Sequence, residues 1–456
     1  MTGSPDQRTV QRGGAVGVSR GGIACFYGLR YGQLLHPGSP RSAITTAGGQ
    51  LKVEHLTDVP VFPQLPSRLE DVMGPGIRDN PQDDAAFYLN VWAPEDAAGL
   101  PVLVFLHGGA WASGGGAARW YRGERLAGEG LVVVTLNYRL GPTGHLDDDE
   151  PGSYHRPIED ILQALRWVQA HIADFGGDPG QVTLAGQSAG AWYAWALSTL
   201  PVAAGLFRRA ALLSVPAIKP WTPVQRSAFT RAVLSAEARD PAYRQEPREA
   251  LLRAGARVLS QAPGEPGAIP PMYLPVWPED PARPASKFHV DALYLRVTRH
   301  EMSVFLPATL SGSSEMEATL AHLRARAGMA PVPPVPCPPD WPRDRITLVT
   351  RASWIAFGRF ASAIAGAAER EGRLVVQRAF AALAGPARLG AAHCLDLPFQ
   401  FGNRKDWRDA PMLEGWPDEE FEEVSGAVRR DLAAFVAGNQ QDGHRTLGAE
   451  SGPHRT

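Results

Sequence analysis

Val182-Thr183-Leu184-Ala185-Gly186-Gln187-Ser188-Ala189-Gly190 decides how this chain is read. A short apolar run leads into Gly-x-Ser-x-Gly, and a helix-like segment, Ala191 to Leu200, follows at once. Strand, Gly-x-Ser-x-Gly and helix in that order make a sharp turn that holds its serine in a strained backbone conformation. The two glycines are needed because strand and helix pack too closely around the turn for larger side chains. The hydroxyl is thereby lifted off the end of a sheet, open to a base on one side and to substrate on the other. Ser188 is the expected nucleophile.

Working outward, Val102 to Leu106, Leu131 to Leu136 and Ala210 to Leu213 join Val182 to Ala185 as apolar runs of strand length. Runs of this kind are buried on both faces, as in a mostly parallel sheet. Between the second and third strands in chain order, Ile161, Leu165, Val168 and Ile172 recur at helical spacing and give one apolar face. Strand, helix, strand predicts right-handed crossovers and an α/β fold with a parallel sheet flanked by helices. Ala292 to Val297 and Leu374 to Phe380 extend the sheet, and a long helical pattern, Ala352 to Arg370, precedes the latter. Residues 219–290, rich in Arg, Ala and Pro, read as a helical cap inserted over the ligand-binding edge, with helices over Ser227 to Arg239 and Arg248 to Gln261. Pro331 to Pro342 reads as a semi-rigid loop. Residues 1–20 are expected to be a flexible N-terminus, 21–438 a single domain, and 439–456 a disordered tail.

The 456 residues are 44% hydrophobic and 20% charged, with a formal net charge of −2. Lys and Arg are scattered, so neither nucleic acid nor an anionic membrane surface is an expected partner. Met1 to Gly17 lacks the apolar core of a secretory signal, and no run approaches the roughly 20 apolar residues that span a bilayer. Cys25, Cys337 and Cys394 cannot close a disulfide framework. A cytoplasmic location is expected. With no His-Glu-x-x-His, paired Cys-x-x-Cys or phosphate loop, no metal or cofactor is expected either.

A serine hydroxyl needs a base to take its proton and an acid to orient that base. On such sheets the order along the chain is serine, acid, histidine. His444 and His454 lie in the polar tail and His322 on a helix-like segment, while His289 and His300 leave little chain for an acid on its own strand. His393, after the Leu374 to Phe380 strand, is the best-placed base. Glu301 follows the C-terminal end of the Ala292 to Val297 run, on the edge where Ser188 emerges, and is the chosen acid; Asp291 lies at the wrong end. The bland alternative for Glu301 is a surface carboxylate paired with Arg296 or Arg299. His107-Gly108-Gly109-Ala110-Trp111 follows the Val102 to Leu106 strand, where backbone N–H groups of an oxyanion hole are supplied. The N–H of Ala189 completes it. Gly108 and Trp111, with Trp120, are expected to line the substrate pocket, whereas Trp192 and Trp195 read as core.

Together these stretches resemble type-B carboxylesterases, the group of the para-nitrobenzyl esterases and cholinesterases. The likeness runs through Ala24 to Tyr31, Tyr88 to Pro94, the His107-Gly108-Gly109 loop and Asn137 to Gly141. It is most specific over Phe175 to Gly190, and it returns at Thr298 to Glu301 and His393 to Gly402. The resemblance implies an α/β-hydrolase fold and a serine esterase acting on a small-molecule ester. It implies Ser188 as nucleophile, Glu301 as acid, His393 as base, and Gly109, Ala110 and Ala189 as oxyanion donors. It also matches Ser214 to a serine that supports the acid. The chain departs from the family pattern where Gln187 replaces a Glu and where Asp84-Ala85-Ala86-Phe87 lacks the usual cysteine. Acyl transfer by the same triad to an alcohol or amine is the alternative activity, and a non-catalytic binding role a third. Monomer and dimer are equally compatible with the sequence.

Overall fold

Each apolar run expected to be a strand is one. The computed structural model describes residues 8–67, 69–147, 155–262, 270–276, 287–306, 314, 317–319, 321–322, 341–382, 389–439 and 443–447. Strands β1 (Arg8–Arg12), β2 (Ala15–Arg20), β3 (Ile23–Arg30), β6 (Tyr88–Pro94), β7 (Leu100–Leu106), β8 (Val132–Leu136), β9 (Gly177–Gln187), β10 (Arg209–Leu213), β11 (Ala292–Thr298), β12 (Leu374–Phe380) and β13 (Gly443–Leu447) form one sheet. Its order is β1-β2-β3-β6-β8-β7-β9-β10-β11-β12-β13, and β4 (Gly32–Leu34) pairs separately with β5 (Ile44–Thr46). From β8 onward all neighbours run parallel.

Register matters more than strand count, because it aligns the chemistry. Leu136, Leu106 and Gly186 are level across β8, β7 and β9, and Gln187, Leu213 and Arg296 across β9, β10 and β11. The segments that follow these residues therefore leave the sheet along one edge, at the carboxyl ends of the strands, where open α/β sheets bind ligands.

Helix α1 (Arg156–His171) makes the crossover between β8 and β9 and buries Ile161, Leu165 and Val168. Helix α2 (Ala189–Thr199) starts at the residue after Ser188, and all its residues are buried. A helix apolar all round belongs in the interior. Trp192 and Trp195 are accordingly core residues, stacked edge to face 5.4 Å apart.

Within the expected cap, α3 (Pro223–Glu237) and α4 (Pro247–Ser260) form a helical pair, and residues 263–269 and 277–286 lie outside the described residues. Val233 and Ala236 of α3 and Ala254 of α4 bury themselves with Leu146. The pair thus rests on the turn Gly141–His145, beyond the carboxyl end of β8. Of the expected proline-rich loop, residues 331–340, with Cys337, also lie outside the described residues.

Two expectations about the ends are corrected. Residues 8–20 are not a loose arm but the hairpin β1-β2, from the Arg8–Ser19 pair to the Arg12–Ala15 pair. Part of the tail expected to be disordered is β13, whose residues from Gly443 to Leu447 pair with Val376 to Phe380. The reason is the same at both ends. An edge strand is held through its backbone, and side chains facing water carry no apolar signal. A third difference is internal: the Ala352 to Arg370 pattern is α5 (Arg343–Ser353), a π-helical turn (Trp354–Gly358) and α6 (Arg359–Arg370).

Candidate active site

The turn after β9 has the geometry its glycines allow. Ser188 sits at φ 54° and ψ −118°, and its N–H donates to Leu213 O at 2.9 Å. A Cβ on Gly186 would come within 2.3 Å of the Gly190 backbone, and one on Gly190 within 2.2 Å of Leu106 O. The strain at Ser188 is thus over-determined by close packing of β7, β9 and α2.

Beside it runs the loop after β7. His107 is buried and stacked on Tyr138, with 4.3 Å between centroids, and the Tyr138 hydroxyl donates to His107 O at 2.5 Å. Its Nδ1–H donates to Gly108 O at 2.7 Å. Burial pushes the imidazole down to about 4, so it stays neutral. The next turn is tight: Gly109 has φ 122°, Ala110 53° and Trp111 59°, and a Cβ on Gly109 would sit 1.9 Å from Ser113 O. Among the described residues, the N–H groups of Gly109 and Ala110 donate to no protein acceptor. Ala189 is the first residue of α2, where helix geometry leaves N–H groups without intrahelical partners.

Glu301 and His393 meet from two different loops. His393 Nδ1–H donates to Glu301 Oε2 at 2.5 Å, and Glu301 Oε1 accepts the Thr298 N–H at 2.8 Å. Both side chains are 1% exposed. Phe357 from the π-helical turn and Phe305 cover the imidazole, with ring centroids 4.9 and 5.5 Å away. Burial presses His393 toward its neutral form, but Cys394 and the Glu301 carboxylate outweigh it and hold the imidazole well above its ordinary value. Arg296 does not pair with Glu301; it forms a fully buried ion pair with Asp396 at 2.8 Å. Ser188, His393, Gly108 and Gly109 all line one small cavity of about 30 Å³, together with Gln187 and Trp120. A larger groove of about 1020 Å³, bordered by Arg122 and Trp407, contains none of these groups.

Two sequence expectations fail here. Trp111 does not line that cavity: it is buried edge-on against Trp192 and Tyr193, because its own positive φ turns it inward. The Ser214 hydroxyl is buried with no hydrogen-bond partner among the described residues and does not hold Glu301, a task that falls to the Thr298 N–H. Sequence reading also missed some supports. His300, set aside as a base, staples the acid turn to the base loop: its N–H donates to Ala391 O and its Nδ1 accepts the Ala391 N–H, both at 2.9 Å. Gly390, at φ 57°, leaves room for that ring. Gln64 clamps the oxyanion-side loop by exchanging two hydrogen bonds with the Gly114 backbone, at 2.6 and 2.8 Å. Nothing in the spacing around Gln64 announces this.

The model of the carboxylesterase family matches residues 58–327. The chain belongs to the carboxylesterase family. It is 32% identical over 437 residues to a probable N-octanoylanthranilate hydrolase of Rhodococcus erythropolis, covering 91% of this chain and 89% of that one. It is 30% identical to the para-nitrobenzyl esterase of Bacillus subtilis, covering 77% and 74%. Among solved structures, a PNB esterase matches with a TM-score of 0.74 at 26% identity over 96% of this chain and 91% of that one. A carboxylesterase of Geobacillus stearothermophilus matches with a TM-score of 0.72 at 27% identity, over 95% and 91%. The fold is that of the α/β hydrolases, and this carboxylesterase is a carboxylic ester hydrolase acting on small-molecule esters. No helix of the described residues is long and apolar enough to cross a membrane.

Proposed function

We propose that the carboxylesterase works through Ser188 as nucleophile, His393 as general base and Glu301 as the orienting acid. The observation that carries this reading is the buried 2.5 Å contact between His393 Nδ1 and Glu301 Oε2, at a ring that shares one cavity with Ser188. The carboxylate fixes the Nδ1–H tautomer and leaves the lone pair on Nε2 to take the serine proton. Ser188 Oγ then bonds to the ester carbonyl carbon, and the oxyanion forms against the N–H groups of Gly109, Ala110 and Ala189. His393 returns the proton to the departing alcohol, and water reverses the sequence to release the acid. Each oxyanion donor contributes about a hundredfold or more in rate.

We read the whole sheet, with β1, β2 and β13, as one hydrolase domain and residues 219–290 as its cap. The buried free thiols of Cys25 and Cys394 favour a cytoplasmic site of action. Acyl transfer to an added alcohol is a second activity the same triad could run, but the curated relatives just described are a hydrolase and an esterase. Hydrolysis of p-nitrophenyl esters tests the assignment. Ser188→Ala and His393→Ala are each expected to lower kcat/KM by about 10³-fold or more. Either variant keeping a tenth of wild-type activity with a native melting curve contradicts it.

A further inference from the structure

Gln187 is the last residue of β9, immediately before Ser188, and is 1% exposed. Its amide Nε2 lies 3.1 Å from His393 Nε2 and 3.3 Å from Cys394 Sγ. In the neutral imidazole, the form in which His393 can act as a base, the proton sits on Nδ1 facing Glu301, so Nε2 is a bare lone pair and only a donor can face it at that distance. The amide N–H therefore donates to it. The other end of the carboxamide lies against Gly108, where a Cβ would come within 2.3 Å of Gln187 Oε1. Any side chain larger than glycine at position 108 would displace the amide. Meanwhile the Ser188 hydroxyl makes no hydrogen bond among the described residues. The lone pair that the triad reading assigns to Ser188 is occupied by its neighbour.

We propose that Gln187 is a positioning residue that caps His393 Nε2 in the free enzyme and yields it to Ser188 when substrate fills the cavity. The inference rests on the triad reading above. In the step itself the amide N–H···Nε2 hydrogen bond breaks, the Ser188 O–H bond breaks, and an Nε2–H bond forms. The cap also has an electrostatic sign. A donor on Nε2 stabilises the neutral imidazole and collides with the proton of the imidazolium, so it opposes the charged form that Glu301 favours. The groups facing His393 are Glu301 from the turn after β11 and Cys394 in its own loop, with Tyr121 near the thiol; Phe305 and Phe357 cover the ring.

The test uses the full chain with Gln187→Glu, isosteric and carrying no donor, and Gln187→Met, which removes the donor without adding charge. kcat/KM for a p-nitrophenyl ester and the rate of fluorophosphonate labelling are followed against pH. The acid limb of both profiles is expected to move to higher pH, by about one unit or more for Gln187→Glu and by less for Gln187→Met. An acid limb unmoved in both variants, with Ser188 still labelled at alkaline pH, overturns the cap and leaves the triad standing. Failure of the triad reading looks different: labelling of the wild type would then survive Ser188→Ala.

Discussion

Glu301 shows how much one side chain depends on its surroundings. One oxygen takes the Thr298 N–H and the other faces His393, so the carboxylate is held at both ends and buried. Its charge helps hold His393 well above its ordinary value, and in the proposed triad His393 takes the serine proton only when neutral. Activity should therefore fall as pH drops through that raised value. In Glu301→Gln the imidazolium loses its counter-charge, so the acid limb of kcat/KM is expected to shift to lower pH. The rate itself should drop by about 10² to 10⁴, because the tautomer is no longer fixed. A pH–rate profile checks both; an unchanged limb would assign Glu301 a purely packing role. That Glu301 meets His393, and that His393 shares a cavity with Ser188, was legible because chain order along a sheet brings these positions to one edge. His300 and Gln64 were not, since each works by meeting backbone far away in the chain, at Ala391 and Gly114, and no local pattern encodes such a meeting. Trp111 was misplaced because its direction depends on a positive φ that sequence does not announce.

At the scale of elements, the elbow is where β7, β9 and α2 come closest. Gly190→Ala would drive a Cβ to 2.2 Å from Leu106 O and 2.5 Å from His107 O, both rigid backbone. The helix or the oxyanion-side loop must move, at an expected cost of about 2 kcal/mol or more. Thermal melts should show a Tm several degrees lower, whereas Gly48→Ala, with no atom within 4 Å of its Cβ, should melt like the wild type. Equal melting of the two would mean that the elbow is looser than described. The central strands and helices α1 and α2 were legible because buried elements carry unbroken apolar runs or one apolar face. Of the outer ones, β1 and β13 were hidden by mostly polar residues on strands held through backbone bonds, and β2 by the glycine and serine that interrupt its short apolar run. The π-helical turn was hidden too, although it supplies Phe357 to the base. Its extra residue per turn is accommodated by tertiary contacts, among them the Ala217 N–H on Ala356 O at 2.7 Å.

Across the whole molecule, parallel register delivers loops from β7, β9, β11 and β12 to one edge, and buried ion pairs fix the elements that carry them. Arg296 on β11 holds Asp396 of α7 (Asp396–Phe401), just past His393, and Arg139 holds Asp160 of α1. Several charges around the larger groove pair with one another, as in Arg122 with Asp406 and Arg125 with Glu422. Chemistry is expected at the small cavity instead, because it is the one that Ser188 and His393 both line. The central claim is that one serine, driven by His393, carries the acyl group. Mass spectrometry after treatment with a fluorophosphonate tests it most directly. A single adduct on the peptide containing Ser188, absent from Ser188→Ala and strongly slowed in His393→Ala, is the predicted result. An adduct on another residue, or labelling that persists in Ser188→Ala, would contradict it.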